Sequence, residues 1–462
     1  MPADPSPGGA AAGAGGDATA FPLTNRPPSD VLCWRGGRAV SVGRFLAEAA
    51  ALAARLPDRA YAINLCADRY RALLGFAAAL WRGQVTLLCA DRAPQRLRAL
   101  AARFPDAHVI ADGPVDTALP VLRPDAAPSS PAGDGTGPVP LIPAGRVAAI
   151  AFTSGSTGEP SAHAKPWGAL VAGAGAAAER FGLRAADGQP TAVVATVPPQ
   201  HMYGFETTVM LPLHSAAAQV AGETFYPSDV AEALASVPER RVLVTTPLQL
   251  RAVLAAGMAP PRLAVVISAT APLSAALAEA VERAWDVPVK EIYGATEAGS
   301  MASRRTVADA DWLPYRTVSL HPGGVAVSGL GPVPLADALE PSPDPGRAGR
   351  FRLLGRESDV VKLGGRRASL AELNRLLLGV EGVEDGVFLA PDDLESNPAA
   401  RLSAFAVAPN RTADDILSAL RDRLEAIFLP RPVVLVPALP RDGLGKLPRR
   451  ALLELRCAAN AR

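Results

Sequence analysis

Apolar residues in this chain recur in two alternating rhythms. Short, mostly apolar runs, Ala60 to Cys66, Val85 to Cys89 and Ala107 to Ala111, predict short buried strands. Between them the spacing is helical. Ser41 to Leu56 has helical spacing through Phe45, Leu46, Ala49, Ala50, Leu52, Ala53 and Leu56, and Tyr70 to Arg82 and Pro94 to Phe104 continue in the same way. Strands that are apolar on both faces, separated by amphipathic helices, predict a mostly parallel sheet covered on each side.

The rhythm stops over 112–146, where D-A-A-P-S-S-P-A-G-D-G-T-G-P predicts a flexible linker or surface loop. It resumes with Val147 to Phe152, Ala192 to Val197, Val242 to Thr246, Leu263 to Ser268 and Val289 to Ile292. Pro322 to Val333 and Gly349 to Leu354 read as antiparallel strand and turn. Beyond them, Ser369 and Glu372 predict a capping box opening a helix with Leu370, Leu373, Leu376 and Leu377 on its apolar face. Thr412 to Ile427 reads as a second helix, with strands at Gly386 to Ala390, Leu402 to Ala408 and Pro432 to Val436.

The expected fold is α/β. A large N-terminal domain of doubly wound, mostly parallel sheets would span 21–355, and a small mobile α+β lid domain 356–462, with the boundary near Gly355 to Asp359. Residues 1–20, rich in Gly, Ala and Pro, predict a disordered tail. They lack the basic start and apolar block of a secretory signal. No internal repeat is visible.

Composition narrows the possibilities. At 462 residues, two or more units are expected. Lys plus Arg number 46 against 45 Asp plus Glu, so charge gives no reason to propose nucleic acid or an anionic membrane as partner. No apolar stretch reaches the ~18 residues of a membrane helix. Cys33, Cys66, Cys89 and Cys457 have no metal-type spacing and read as small apolar fillers in a reducing compartment. A cytoplasmic protein is expected.

The candidate chemistry begins where Val147 to Phe152 empties into Thr153-Ser154-Gly155-Ser156-Thr157-Gly158-Glu159-Pro160. A Gly-rich loop after a strand offers backbone N–H groups to an anion, and its hydroxyls add donors. Taken alone it reads equally well as a surface turn. It is not the Walker type, which needs Lys-Ser/Thr where this chain has Glu159-Pro160.

Three further motifs follow in order: Y-G-A-T-E at 293–297, G-R-E-S-D-V-V-K-L-G-G-R-R at 355–367 and G-L-G-K-L-P-R at 443–449. Together with the loop they resemble the adenylate-forming superfamily of acyl- and aryl-CoA synthetases, peptide-synthetase adenylation domains and luciferases. The resemblance spans about residues 30 to 455. It implies an ATP- and Mg²⁺-dependent ligase that converts a carboxylate to an acyl-adenylate with release of pyrophosphate. The acyl group then passes to a thiol.

By that resemblance Thr153, Ser154, Gly155, Ser156, Thr157 and Gly158 wrap the β- and γ-phosphates, Thr296 bonds the α-phosphate and Glu297 holds Mg²⁺. Tyr293 would stack on adenine, with Gly294 allowing close approach. Asp337 would hold the ribose hydroxyls with Arg356 beside it. Lys446 would bridge the carboxylate and the α-phosphate. After adenylation the C-terminal domain would rotate, bringing Gly364, Gly365 and Arg366 to the thiol channel. The pivot position, usually Asp or Lys, holds Ser358, followed by Asp359. Many members carry Lys directly after the loop proline. Here Ser161 stands there, and Lys165 is read either as its substitute or, by preference, as a solvated charge.

Residues 198–206 read P-P-Q-H-M-Y-G-F-E. Members that activate α-amino acids usually place Phe-Asp nearby, so His201-Met202 disfavours such a substrate. His201, Met202 and Tyr203, with Ser268, Ala269 and Thr270, are expected to line the acyl pocket for an aromatic or medium-chain acid. The G-S-M-A-S-R-R run at 299–305, followed by W-L-P-Y, is similar to stand-alone ligases of aryl-polyene or polyketide-like clusters that load an acyl carrier protein. Carrier protein and CoA both remain open as acceptor, as do monomer and homodimer. The competing readings are a catalytically silent nucleotide- or carrier-binding homologue and a conventional ATPase.

Overall fold

The computed structural model of the chain describes residues 19–124, 139–153, 161–183, 190–356, 360–363, 366–391, 401–441 and 447–460. Most of the tail expected over 1–20 and the Pro/Gly-rich centre of the expected linker lie outside them. The fold is mixed α/β, built on two large sheets rich in parallel pairs. In the larger, the nine strands run in the order Leu313–Pro314, Gly299–Arg304, Val289–Ala295, Val265–Ser268, Arg241–Thr245, Thr191–Ala195, Ala217–Val220, Val31–Arg35 and Arg38–Ser41. Pairing is parallel from Val289–Ala295 through to Val31–Arg35 and antiparallel at both edges.

The two-residue alternation of a strand explains why these runs are apolar throughout. Val193, Val242, Val244, Val265 and Ile267 enter one core. Their neighbours Val194, Leu243 and Val266 enter another on the opposite face. The second sheet orders Ser161–Pro166, Val147–Thr153, Val85–Leu88, Tyr61–Asn64, Ala107–Ile110 and Val121–Leu122. The helices Val42–Arg55, Arg69–Trp81 and Trp167–Arg180 feed a third core containing Phe45, Tyr70, Phe76 and Trp167. Ser41 and Asp68 cap the first two of these by accepting backbone N–H bonds.

Among the described residues, the C-terminal segment has its own core. The strands Asp385–Leu389, Ser403–Val407 and Val433–Leu435 pack Ala404 and Ala406 against Leu373 and Leu377 of the helix Leu370–Leu378 and Leu420 of the helix Ala413–Arg421.

Three local expectations are corrected. The stretch 112–146 is not all linker, because Val121–Leu122 extends the second sheet and Leu141–Pro143 pairs with Ala20–Pro22. Burial of Leu23 and Ile142 explains that pinning. Ser369 begins its helix without making a cap hydrogen bond. Its hydroxyl lies close to Gly355, where a Cβ would come within 2.7 Å of Oγ. The reciprocal box sits instead at Thr412 and Asp415. That helix ends at Arg421, and the turn Ala426–Phe428 folds Phe428 back into the core.

Candidate active site

The strand Val147–Thr153 and its antiparallel partner Ser161–Pro166 flank residues 154–160, with Thr153 opposite Ser161 and Lys165 opposite Ala149. Ser154, Gly155, Ser156, Thr157 and Gly158 lie outside the described residues. At the strand end, Thr153 Oγ1 lies 3.1 Å from His163 Nε2. Strand alternation puts Ser161, His163 and Lys165 on one face.

Lys165 corrects the reading of a solvated charge: it is 2 % exposed. Its Nζ donates to the backbone carbonyl of Glu297 at 2.7 Å. Burial pushes the ammonium down to about 8, against the opposing pull of Glu206 and Glu297. Burial also holds His163 below its ordinary value, with Glu297 opposing and Lys165 reinforcing the effect. The cluster therefore joins the second sheet to the Y-G-A-T-E segment of the first.

Within that segment Thr296 and Glu297 form the half-buried turn between Val289–Ala295 and Gly299–Arg304. Gly294 is required by the hairpin itself, since a Cβ there would stand 2.8 Å from the Gly299 carbonyl oxygen. Tyr293 is buried, and its ring packs 5.6 Å from Trp312 and 6.0 Å from Phe351. Its Oη donates to Asp337 Oδ2 at 2.8 Å. Asp337 is in turn paired in register with Arg356 on the neighbouring strand. Tyr293, Asp337 and the Arg356 backbone, distant in sequence, are thus brought together.

The Pro198–Glu206 segment is folded tightly. A Cβ on Gly204 would lie 2.0 Å from the Pro198 carbonyl oxygen. Gln200 Nε2 donates to the Cys66 carbonyl at 2.6 Å. His201 is the N-cap of the short helix Met202–Phe205, which continues into a π-turn over Glu206–Met210. Tyr203 directs its hydroxyl to the Ile267 carbonyl at 3.0 Å. Ser268 and Ala269 are buried at the C-terminal end of their parallel strand, and Ser268 Oγ has no partner. Thr270 follows at φ 79, a strained conformation for a β-branched residue and a feature that clusters at functional sites.

Beside the Thr296–Glu297 turn lies a largely apolar cavity walled by Phe181, Met202, Met210, Ile292 and Tyr315. Of the expected acyl-pocket residues, only Met202 lines it; His201, Tyr203, Ser268, Ala269 and Thr270 do not. Its polar members include Lys165, Glu206, Thr207, Ser300, Thr317 and the Tyr315 hydroxyl, and the motif reading gave no role to Glu206 or Ser300. Glu206 accepts from Ser300 N at 3.0 Å and from Ser300 Oγ at 2.5 Å. Burial pushes its carboxyl up, while Ser300 and Lys165 act in the opposite direction. Gly299, at φ +84, makes room for it: a Cβ there would fall 2.6 Å from Glu206 Oε1. The available signal for Lys165 was its two-residue phase with Ser161 and His163.

The S-A-T-A-P-L loop is held by Glu291, another residue the motifs did not mark. Glu291 Oε1 accepts from Leu273 N at 2.8 Å, and Oε2 pairs with Arg304 at 2.8 Å. Gly364, Gly365, Ser358 and Lys446 lie outside the described residues, and of Arg366 only the strand backbone is described. No group of three His, Cys, Asp or Glu side chains suited to a metal occurs among the described residues. No helix among them is long and apolar enough to cross a membrane.

The profile of the AMP-binding enzyme family matches residues 73–350, more than half of the chain. A 4-coumarate–CoA ligase of Rhodobacter capsulatus is 32% identical over 279 residues, 60% of this chain and 68% of the relative. Among solved structures, ATP-bound MatB from Rhodopseudomonas palustris superposes with a TM-score of 0.77 at 18% identity, covering 94% of this chain and 97% of that one. The o-succinylbenzoate CoA synthetase of Bacillus subtilis, bound to its acyl-adenylate, gives 0.77 at 16%, covering 94% and 98%. At these identities the structural likeness is one of fold. The profile match over the sheets and turns just described places the chain in the AMP-binding enzyme family, among the adenylate-forming ligases of acyl/aryl-CoA type.

Proposed function

We propose that this protein activates an aromatic or medium-chain carboxylic acid, not an α-amino acid, with ATP and transfers the acyl group to a phosphopantetheine thiol. In the first step a carboxylate oxygen attacks the α-phosphorus. The new P–O bond forms as the bond to the β-phosphate breaks, and pyrophosphate leaves. In the second step the thiolate attacks the acyl carbon, and AMP departs carrying the oxygen that the acid supplied. The observation that carries this reading is the Lys165–Glu297 contact, which sets the Thr296–Glu297 turn between the hydroxyl-rich strand end at Thr153 and an apolar cavity.

In this reading Thr153 and residues 154–158 bind the β- and γ-phosphates, and Thr296 donates to the α-phosphate. Donors fixed in advance where charge develops lower the barrier most. Mg²⁺, when bound, neutralises phosphate charge. A lone half-buried carboxylate suits an ion that keeps its waters and shares phosphate oxygens, so Glu297 would hold it. Tyr293, Gly294, Asp337 and Arg356 would frame the nucleoside, with Tyr293 supporting Asp337 from behind. Lys446 would bring its charge to the reacting carboxylate and α-phosphate.

Residues 356–462 would act as the lid, pivoting near Ser358 to present Gly364, Gly365 and Arg366 to the thiol. The acceptor thiol would belong to an acyl carrier protein, on the likeness of the 299–305 run to carrier-loading ligases, or to CoA.

Pyrophosphate exchange into ATP across a panel of carboxylic acids tests the proposal. Exchange that depends on an added acid supports it. ATP binding without exchange for any acid would point to a silent homologue, and phosphate release without acid to an ATPase.

A further inference from the structure

Lys165 and Glu206 are opposite charges in the wall of one cavity that do not touch. Both line the apolar space beside the Thr296–Glu297 turn, yet they form no ion pair within 4.0 Å. Each is anchored from behind. Lys165 spends one ammonium proton on the Glu297 carbonyl, and Glu206 takes both Ser300 donors. An ammonium has three protons and a carboxylate about four acceptor sites, so both retain capacity toward the gap. Leaving buried capacity unmet is costly. The backbone is shaped to keep the arrangement, with Gly299 at positive φ against Glu206 and a π-turn beginning at Glu206 itself.

The group that fits between them must accept from an ammonium and donate to a carboxylate. A neutral hydroxyl does both. A second carboxylate would meet Lys165 but be repelled by Glu206, and an amine would meet the reverse. A plain hydrocarbon end would leave the remaining capacity of both unmet. We infer that Lys165 and Glu206 select a carboxylic acid bearing a hydroxyl away from its reacting carboxylate. The apolar walls, Phe181, Met202, Met210 and Ile292, would hold the skeleton between the two ends. This rests on the acid-activation reading above and adds to it a substrate class and two specificity-determining residues.

The test uses matched acids: benzoate and 4-hydroxybenzoate, cinnamate and 4-hydroxycinnamate, octanoate and 8-hydroxyoctanoate. Affinities are measured by calorimetry on the full chain with a non-hydrolysable ATP analogue, and pyrophosphate exchange is run in parallel. A site that hydrogen-bonds a substrate hydroxyl discriminates strongly against its absence. At least one hydroxylated acid should therefore bind tenfold or more tightly than its partner. Lys165→Met and the isosteric Glu206→Gln should each shrink that ratio below about threefold. No preference in any pair, or a preference untouched in both variants, overturns the inference. A preference in binding without exchange would sustain it while contradicting acid activation. Exchange without preference would do the opposite.

Discussion

Lys165 Nζ reaches the carbonyl oxygen of Glu297 at 2.7 Å, across 132 residues of chain. A charge-assisted bond to a backbone atom leaves the Glu297 side chain free to do something else. It also places a buried cation behind a turn that the account assigns to phosphate and metal.

That burial has a pH signature. The folded Lys165 ammonium lies near 8, below its ordinary 10.5, so the fold pays for charging it. Below pH 8 both folded and unfolded chains are protonated there and the penalty is complete. Between pH 8 and 10.5 the unfolded chain holds the extra proton, and stability rises with pH by about 3 kcal/mol from this group. Denaturant unfolding of wild type and Lys165→Met isolates the effect. The wild type should gain on the variant across that window, and a flat difference would show the ammonium unperturbed.

Tyr293→Phe removes the donor to Asp337 and leaves the ring packing intact. Hydrogen bonds to charged groups contribute about 1.5–3 kcal/mol, and urea unfolding should register a loss of that order. If Asp337 holds the ribose, the KM for ATP should rise while the KM for the acid stays within about twofold. Equal shifts in both would speak for a packing role.

Glu291→Ala should cost about 1–3 kcal/mol, because it breaks the pair with the partly exposed Arg304 and leaves the buried Leu273 N–H without its acceptor. Thermal unfolding checks this, and a loss below about 1 kcal/mol would mean the S-A-T-A-P-L loop is held by other contacts.

The two glycines Gly204 and Gly173 should respond in opposite directions to alanine. A Cβ on Gly204 meets backbone 2.0 Å away, whereas Gly173, inside the helix Trp167–Arg180, has nothing within 4 Å. Gly204→Ala should destabilise by about 3 kcal/mol or more. Gly173→Ala should stabilise by up to about 1 kcal/mol. Chemical denaturation of the two variants decides it.

The sheets were legible because each buried strand is apolar at successive positions, as in Val193-Val194 and Leu243-Val244, and each is followed by a helical stripe. The Y-G-A-T-E turn was legible because its glycine, hydroxyl and carboxylate are consecutive. The cavity was not. Lys165, Glu206 and Ser300 come from a strand, a π-turn and a hairpin, and no local spacing links them. A lysine in a strand of small residues looks solvated until the opposite sheet covers it. For Tyr203 the frame carried no information on its hydroxyl, which donates to the Ile267 carbonyl. The capping box was misplaced for a similar reason, since Ser369-x-x-Glu372 has the right letters while Gly355 occupies the hydroxyl's side.

Isotope transfer tests the central claim most directly. The acid is labelled with ¹⁸O in its carboxylate, and the AMP formed in a single turnover with thiol present is analysed by mass spectrometry. Attack of the carboxylate on the α-phosphorus predicts one labelled oxygen in AMP. Unlabelled AMP, or label recovered in inorganic phosphate, would contradict the account.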